Sequence, residues 1–175
     1  MFSVVVPTFN ERDNIRPLFE RTLAAFDRLG EPAELVLVDD SSPDGTAEHA
    51  QLVAQEMGAS ERVRVVVRTE EPGLAKAVWA GFAEARGDVL AVMDADLSHP
   101  PEKLPELLAP IRADDADVTI GSRHTTGGSI GHWPWYRRFI SWGANLLARP
   151  LVPVRDATSG YFALRRECLA DLDFR

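Results

Sequence analysis

Cysteine is all but missing from this chain. The single Cys168 excludes a disulfide framework and any cysteine-based metal site, and it fits a reducing compartment. No stretch approaches the roughly 20 consecutive apolar residues that cross a bilayer. Met1 leads straight into FSVVV, so neither a membrane span nor a secretory signal is expected. Internal repeats and low-complexity linkers are absent, and lysine occurs only at positions 76 and 103. Acidic residues are missing altogether from 118–155, a stretch that carries five arginines (123, 137, 138, 149 and 155) with His124 and His132. Residues 1–117 show the opposite imbalance, with 11 Lys/Arg against 23 Asp/Glu, and the whole chain has a net charge of −8. So acidic a chain is excluded as a general nucleic-acid binder. An acidic half that attracts a cation, followed by a cationic segment that attracts anions, points to a local phosphate site.

At 175 residues with 45% hydrophobic side chains, the chain is expected to bury one core as one soluble domain. Five short β-branched or apolar runs read as strands: 2–6 (FSVVV), 34–38 (ELVLV), 64–67 (RVVV), 89–93 (VLAVM) and 117–121 (DVTIG). Helical spacing fills the gaps between them. In 13–29, Ile15, Leu18, Phe19, Leu23, Phe26 and Leu29 form one stripe, and Pro17 restricts the helix start to that neighbourhood. Segments 44–57, 73–86 and 101–112 follow, with proline or glycine at their ends in the usual asymmetry. Segment 134–149 reads as a further helix with Trp135, Phe139, Trp142 and Leu146 on one stripe. Such a stripe is core packing, as for Phe139 and Leu146, or, for Trp133, Trp135 and Trp142 with Arg137, Arg138 and Arg149, a surface for an anionic membrane or a pocket for a lipid phosphate.

Strands and helices in strict alternation imply an α/β fold: a mostly parallel sheet with helices on both faces. Ligands in such sheets bind outside the carboxyl ends of the strands. Polar groups gather there in this chain: Pro7-Thr8-Phe9-Asn10-Glu11, Asp39-Asp40-Ser41-Ser42, Arg68, Asp94 with Asp96, and Ser122-Arg123. Helix capping alone does not call for five such strand ends. Asp94 and Asp96, one residue apart on an extended backbone, point to the same side. Such a pair can hold one hard divalent cation and, through it, the phosphates of a nucleotide. The competing role for either is capping the next helix. Glu11 likewise competes with service as a first-turn acid, Lys76 with a solvated helix face, and His99 and His124 read as loop residues.

Six motifs in order carry a resemblance: VVVPTFNERDNI, LVLVDDSSPDGT, GLAKAVWAGFAEARGD, VMDADLSHPPEKLPEL, IGSRHTTGGSIGHWPWYRRFISWGAN and DATSGYFALRR. Together they resemble the polyprenol-phosphate (dolichol-phosphate) mannosyltransferases of inverting glycosyltransferase family 2, over residues 2 to about 167. The resemblance implies a Rossmann-like GT-A domain, with residues 1–121 as its nucleotide-binding half and 122–175 on the acceptor side. It implies transfer of mannose from GDP-mannose to a polyprenyl phosphate, dependent on Mg²⁺ or Mn²⁺. Pro7, Phe9, Glu11, Val38, Asp39 and Asp40 match its nucleoside contacts. Asp94, Ala95 and Asp96 match the motif that holds the diphosphate and the metal. Arg123 and Arg137 match arginines that grip the donor diphosphate and the acceptor phosphate, so Asp96, Arg123 and Arg137 carry the implied catalysis. Ser98 stands where many relatives have a glutamine metal ligand, and its shorter hydroxyl is expected to reach the cation through water. The sequence ends at Arg175, before the further helix and basic strand with which members normally continue, so the acceptor side is expected to be incomplete in it.

The implied location is cytoplasmic and peripheral, at the inner face of a membrane. Transfer of glucose or another hexose, or a non-catalytic nucleotide-sugar-binding module, stays open. The Asp-x-Asp also resembles the nucleophile motif of haloacid-dehalogenase-type phosphatases. That chemistry needs a downstream lysine, and none follows Lys103.

Overall fold

β-branched runs and amphipathic stripes set the elements where the sequence places them. The computed structural model describes residues 1–121 and 159–170. The expected helix 134–149 therefore lies outside the described residues, as do Arg123 and Arg137. Strands β1 (Phe2–Thr8), β2 (Ala33–Asp39), β3 (Val63–Val67) and β4 (Val89–Val92) pair in parallel. Helices α1 (Ile15–Leu29), α2 (Thr46–Glu56), α3 (Leu74–Glu84) and α4 (Leu104–Arg112) follow them in turn. Short 3₁₀ turns at Arg12–Asn14 and Pro101–Lys103 lead into α1 and α4. Pro17 is the third residue of α1, where its missing N–H has no intrahelical partner to lose.

Two further strands complete a six-stranded sheet of order β3-β2-β1-β4-β6-β5: β5 (Val118–Ile120) and β6 (Phe162–Arg165). β6 lies between β4 and β5 and runs antiparallel to both. The sequence reading placed no strand there. FALR is only four residues long and lacks β-branched side chains, and its partners come from far along the chain.

Alternation of side chains across the sheet divides the core in two. Val4, Val6, Leu35, Leu37, Ala91 and Met93 face α1, α2 and α4. Val5, Val36, Val38, Leu90 and Val92 face α3. Helices thus cover both faces. Each fully buried aliphatic or aromatic side chain, such as Leu18, Phe19 and Phe26 of α1, contributes about 1.5–3 kcal/mol.

A polar assembly fixes the far end of α3. The Arg166 guanidinium donates to the carbonyls of Phe82 (3.2 Å) and Ala85 (2.7 Å), at the end that the helix itself leaves unpaired, and to that of Gly87 (2.8 Å) just beyond. Buried Glu34 accepts from Ser3 Oγ (2.7 Å), from the Arg86 amide (2.6 Å) and from Arg86 Nε (2.8 Å). Burial pushes the Glu34 carboxyl up, but these donors outweigh it, and the group lies below the usual carboxylate range. With this end held, the other end of α3 faces the carboxyl ends of β1 and β2.

Candidate functional site

Strand β1 is followed in the chain by β2 and β3 on one side and then by β4 on the other. That reversal makes the carboxyl ends of β1 and β4 the switch point at which open α/β sheets bind ligands. Three non-glycine residues with positive φ sit in the loops after β1, β2 and β4: Asn10 (59°), Ser41 (54°) and Leu97 (61°). Left-handed backbone of this kind is uncommon and gathers at functional sites.

Beside the switch point lies a cleft of about 310 Å³ lined by Pro7, Thr8, Phe9, Asp40, Pro72, Gly73, Leu74 and Ala77. Its volume is at the small end of ligand pockets. Phe9 is 53% exposed and Leu74 66%, so the rim offers apolar surface to a planar group. Asp40 is the one acidic lining residue, and a carboxylate accepts N–H or hydroxyl donors.

Asp40 is held from two sides. Its carboxylate pairs with Arg68, itself buried, and accepts the Gly73 N–H at 2.8 Å. Arg68 also donates to the Glu71 carbonyl at 3.4 Å, which ties the loop before α3 to the end of β3. In the sequence Arg68 is only a polar strand end; its partnership with Asp40 joins segments 28 residues apart and has no local signal. Asp39 turns the other way. It is 2% exposed and accepts from Thr8 Oγ1 (3.1 Å), Ser42 Oγ (2.5 Å) and the Ser42 amide (2.8 Å), building the turn after β2.

Val38 is fully buried in the α3-side core, and its carbonyl accepts the Thr8 hydroxyl at 3.2 Å. Any contact with a ligand there falls to its backbone or its neighbours. Glu11 is half-buried, takes the Asn14 amide at 2.6 Å and donates its own N–H to Thr46 Oγ1 at 3.0 Å. It therefore braces the loop after β1. Asp44 serves the turn before α2, accepting from the Thr46 amide (2.9 Å) and hydroxyl (2.6 Å).

At the end of β4, Asp94 is partly exposed, Ala95 is buried, and Asp96 and Ser98 are exposed. Asp96 Oδ1 accepts the Ser98 amide at 2.9 Å, closing the loop around left-handed Leu97. The backbone of Gly160, just ahead of β6, passes the Asp94 carboxylate: a Cβ there would lie 3.5 Å from Oδ1 and 3.7 Å from Oδ2. His99, read from the sequence as a loop residue, is in fact 4% exposed and belongs to this corner. Among the described residues no three His, Cys, Asp or Glu side chains form a metal cage. Two hard-oxygen donors beside a glycine-lined space suit a cation that brings further ligands with it, as Mg²⁺ does with substrate phosphates. Ser159 Oγ donates to the Gly121 carbonyl at 2.6 Å, so residues 121 and 159 meet beside the same corner.

The sequence profile of glycosyl transferase family 2 matches residues 3–173. The chain belongs to this family. It is 46% identical to a dolichol-phosphate mannosyltransferase of Pyrococcus furiosus, over 98% of this chain and 48% of that protein. It is 42% identical to a dolichol-phosphate mannosyltransferase of Saccharomyces cerevisiae, over 99% of this chain and 64% of that protein. The chain thus spans about half to two thirds of the length of these relatives. Its fold is that of the Mycobacterium tuberculosis glucosyl-3-phosphoglycerate synthase, solved with Mn²⁺, uridine diphosphate and phosphoglyceric acid. The TM-score is 0.72 at 24% identity, over 99% of this chain and 58% of that one. For a member of glycosyl transferase family 2, the parallel β3-β2-β1-β4 half with antiparallel β6 beside it is the GT-A arrangement that the motifs implied.

Proposed function

We propose that this chain carries the donor side of an inverting mannosyltransferase that moves mannose from GDP-mannose to a polyprenyl phosphate. One observation carries the reading: the cleft at Phe9 and Asp40 and the Asp94–Asp96 loop share the carboxyl edge of the sheet around the β1/β4 switch point. The two relatives named as dolichol-phosphate mannosyltransferases support the sugar and the class of acceptor.

In this reading the base enters the cleft, with Phe9 and Pro7 against its face and Asp40 accepting its donors. Asp39, Glu11 and Val38 act from behind, by fixing the loops that shape the cleft. Asp94 and Asp96 hold Mg²⁺ or Mn²⁺ at the diphosphate, with Ala95 packed between them and Ser98 contributing through water. A cation held there would supply Lewis-acid stabilisation of the departing diphosphate. The acceptor phosphate is already anionic near neutral pH, so it needs placement in line with the anomeric carbon more than deprotonation. From the resemblance, Arg123 and Arg137 are assigned to grip the donor diphosphate and the acceptor phosphate, since a guanidinium fork engages phosphate through two parallel hydrogen bonds. Residues 1–121 form the nucleotide-binding half and 122–175 the acceptor side. The enzyme works at the cytoplasmic face of a membrane in this reading. No helix among the described residues is long and apolar enough to span a bilayer.

Calorimetric titration with GDP, GDP-mannose and UDP-glucose, with and without Mn²⁺, tests the donor half directly. GDP and GDP-mannose should bind only with the cation, and Asp96→Ala should weaken binding by about tenfold or more. Equal affinity without metal, or preference for UDP-glucose, would overturn the assignment.

A further inference from the structure

Strand β4 ends with a donor that the sheet does not take. The Met93 amide still bonds to the Val5 carbonyl across the β1–β4 ladder, at 3.1 Å. The next amide, of Asp94, donates instead to His99 Nδ1 at 3.1 Å. A nitrogen that accepts this bond carries no proton, so the neutral ring holds its proton on Nε2. The approach of the same Nδ1 to Asp94 Oδ2, at 3.4 Å, is then a packing contact rather than an ion pair. The ring thereby forms one wall of the space open to the carboxylate. Gly160 forms another, since a Cβ there would meet His99 Cε1 at 3.4 Å and Asp94 Oδ1 at 3.5 Å.

The imidazole is itself held in place. It stacks on Tyr161 with ring centroids 5.1 Å apart and planes 11° from parallel. The Tyr161 hydroxyl donates to the Pro100 carbonyl at 3.2 Å, and the Tyr161 carbonyl accepts the Gly121 amide at 2.7 Å. The Asp94 side chain is 41% exposed, and the backbone bond below and the two walls beside it are among the contacts that orient it.

We propose that His99 is a positioning residue for Asp94: its buried Nδ1 fixes the amide of this residue and so aims the carboxylate at the cation and diphosphate. This rests on the donor-site reading above and extends it to a side chain that acts through the Asp94 amide. Outer partners of metal-binding side chains commonly govern affinity by about 10–100-fold.

Two variants separate positioning from simple packing. His99→Asn sets its Oδ1 where Nδ1 lies, keeping the acceptor and losing the stack. His99→Phe keeps the stack on Tyr161 and loses the acceptor. Free Mn²⁺ is followed by electron paramagnetic resonance as protein is added in the presence of GDP, and melting temperatures are recorded for all three proteins. The expected result is Mn²⁺ affinity within about threefold of wild type for His99→Asn and about tenfold or more weaker for His99→Phe, with His99→Phe melting closer to wild type. Retained affinity in His99→Phe, or equal loss in both variants, overturns the proposal. Wild-type protein that takes up no Mn²⁺ with GDP overturns the donor-site reading as well, a failure visible before any variant is made.

Discussion

Asp39 and Asp40 are adjacent, both buried, and engaged in opposite tasks. Continuing the alternation of β2, Asp39 follows Leu35 and Leu37 toward α1 and α2, while Asp40 follows Val36 and Val38 toward α3. The first is consumed by its own turn; the second reaches the cleft that the start of α3 lines. Paired carboxylates after a strand are plain in the sequence, but which one reaches the cleft depends on which face carries α3. Single-residue electrostatics also makes one contribution to stability depend on pH. Glu102 accepts Arg21 Nε and Nη2 at 2.7 and 2.8 Å, joining α1 to the turn before α4. The hydrogen bonds from Arg21 outweigh burial and hold the Glu102 carboxyl down at about 2, from an ordinary 4.5. A depressed carboxylate contributes stability that is complete above about 4.5 and disappears as pH falls toward 2. Both side chains are more than a third exposed, so solvent screening reduces the contribution to about 1 kcal/mol. Urea titrations of Arg21→Ala should show that deficit at pH 7 and a markedly smaller one near pH 2; a deficit independent of pH would assign the loss to packing of the arginine stem.

At the scale of elements, α3 shows how packing overrides propensity. Gly81 lies inside this helix, where alanine is worth about 1 kcal/mol more by intrinsic preference. A Cβ there would lie 2.3 Å from Val5 Cγ1 and 3.1 Å from Val38 Cγ2, so the glycine lets the helix seat directly on β1 and β2. Gly81→Ala should therefore destabilise the fold, by about 1–3 kcal/mol net of its propensity gain. Because Gly73, Leu74 and Ala77 line the cleft, the shift should also weaken nucleotide binding. Chemical denaturation and GDP titration of the same variant check both effects; a stabilised protein would mean the helix lifts without strain. The periodic elements were legible in the sequence because each stripe or run is local. β1 to β5 and α1 to α4 fall within a few residues of expectation. β6 was not legible, since its four residues become a strand only by filling the gap between β4 and β5.

Across the whole molecule, charge is divided along the chain. Residues 1–117 carry 23 acidic side chains against 11 basic ones, and 118–155 carry five arginines and no acid. An enzyme proposed to meet a lipid phosphate gains from such polarity, with about 1 kcal/mol of attraction for each arginine near an anionic leaflet. Sedimentation with vesicles should show binding that needs anionic lipid and declines severalfold as salt rises, because the Debye length contracts from about 10 Å at 0.1 M to about 3 Å at 1 M. Partitioning indifferent to salt, or none, would count against docking by this segment.

The sequence by itself determined the alternation of strands and helices, the crowding of polar groups at strand ends, the placing of Asp94 and Asp96 after β4, and the family. All of these depend on the order of residues and on near neighbours. Tertiary structure alone decided the insertion of β6, the division of labour between Asp39 and Asp40, the Asp40–Arg68 pair and the seating of His99 against Tyr161. Each of those is a meeting of side chains or backbone from separated segments, set by which face and which edge the folded sheet presents.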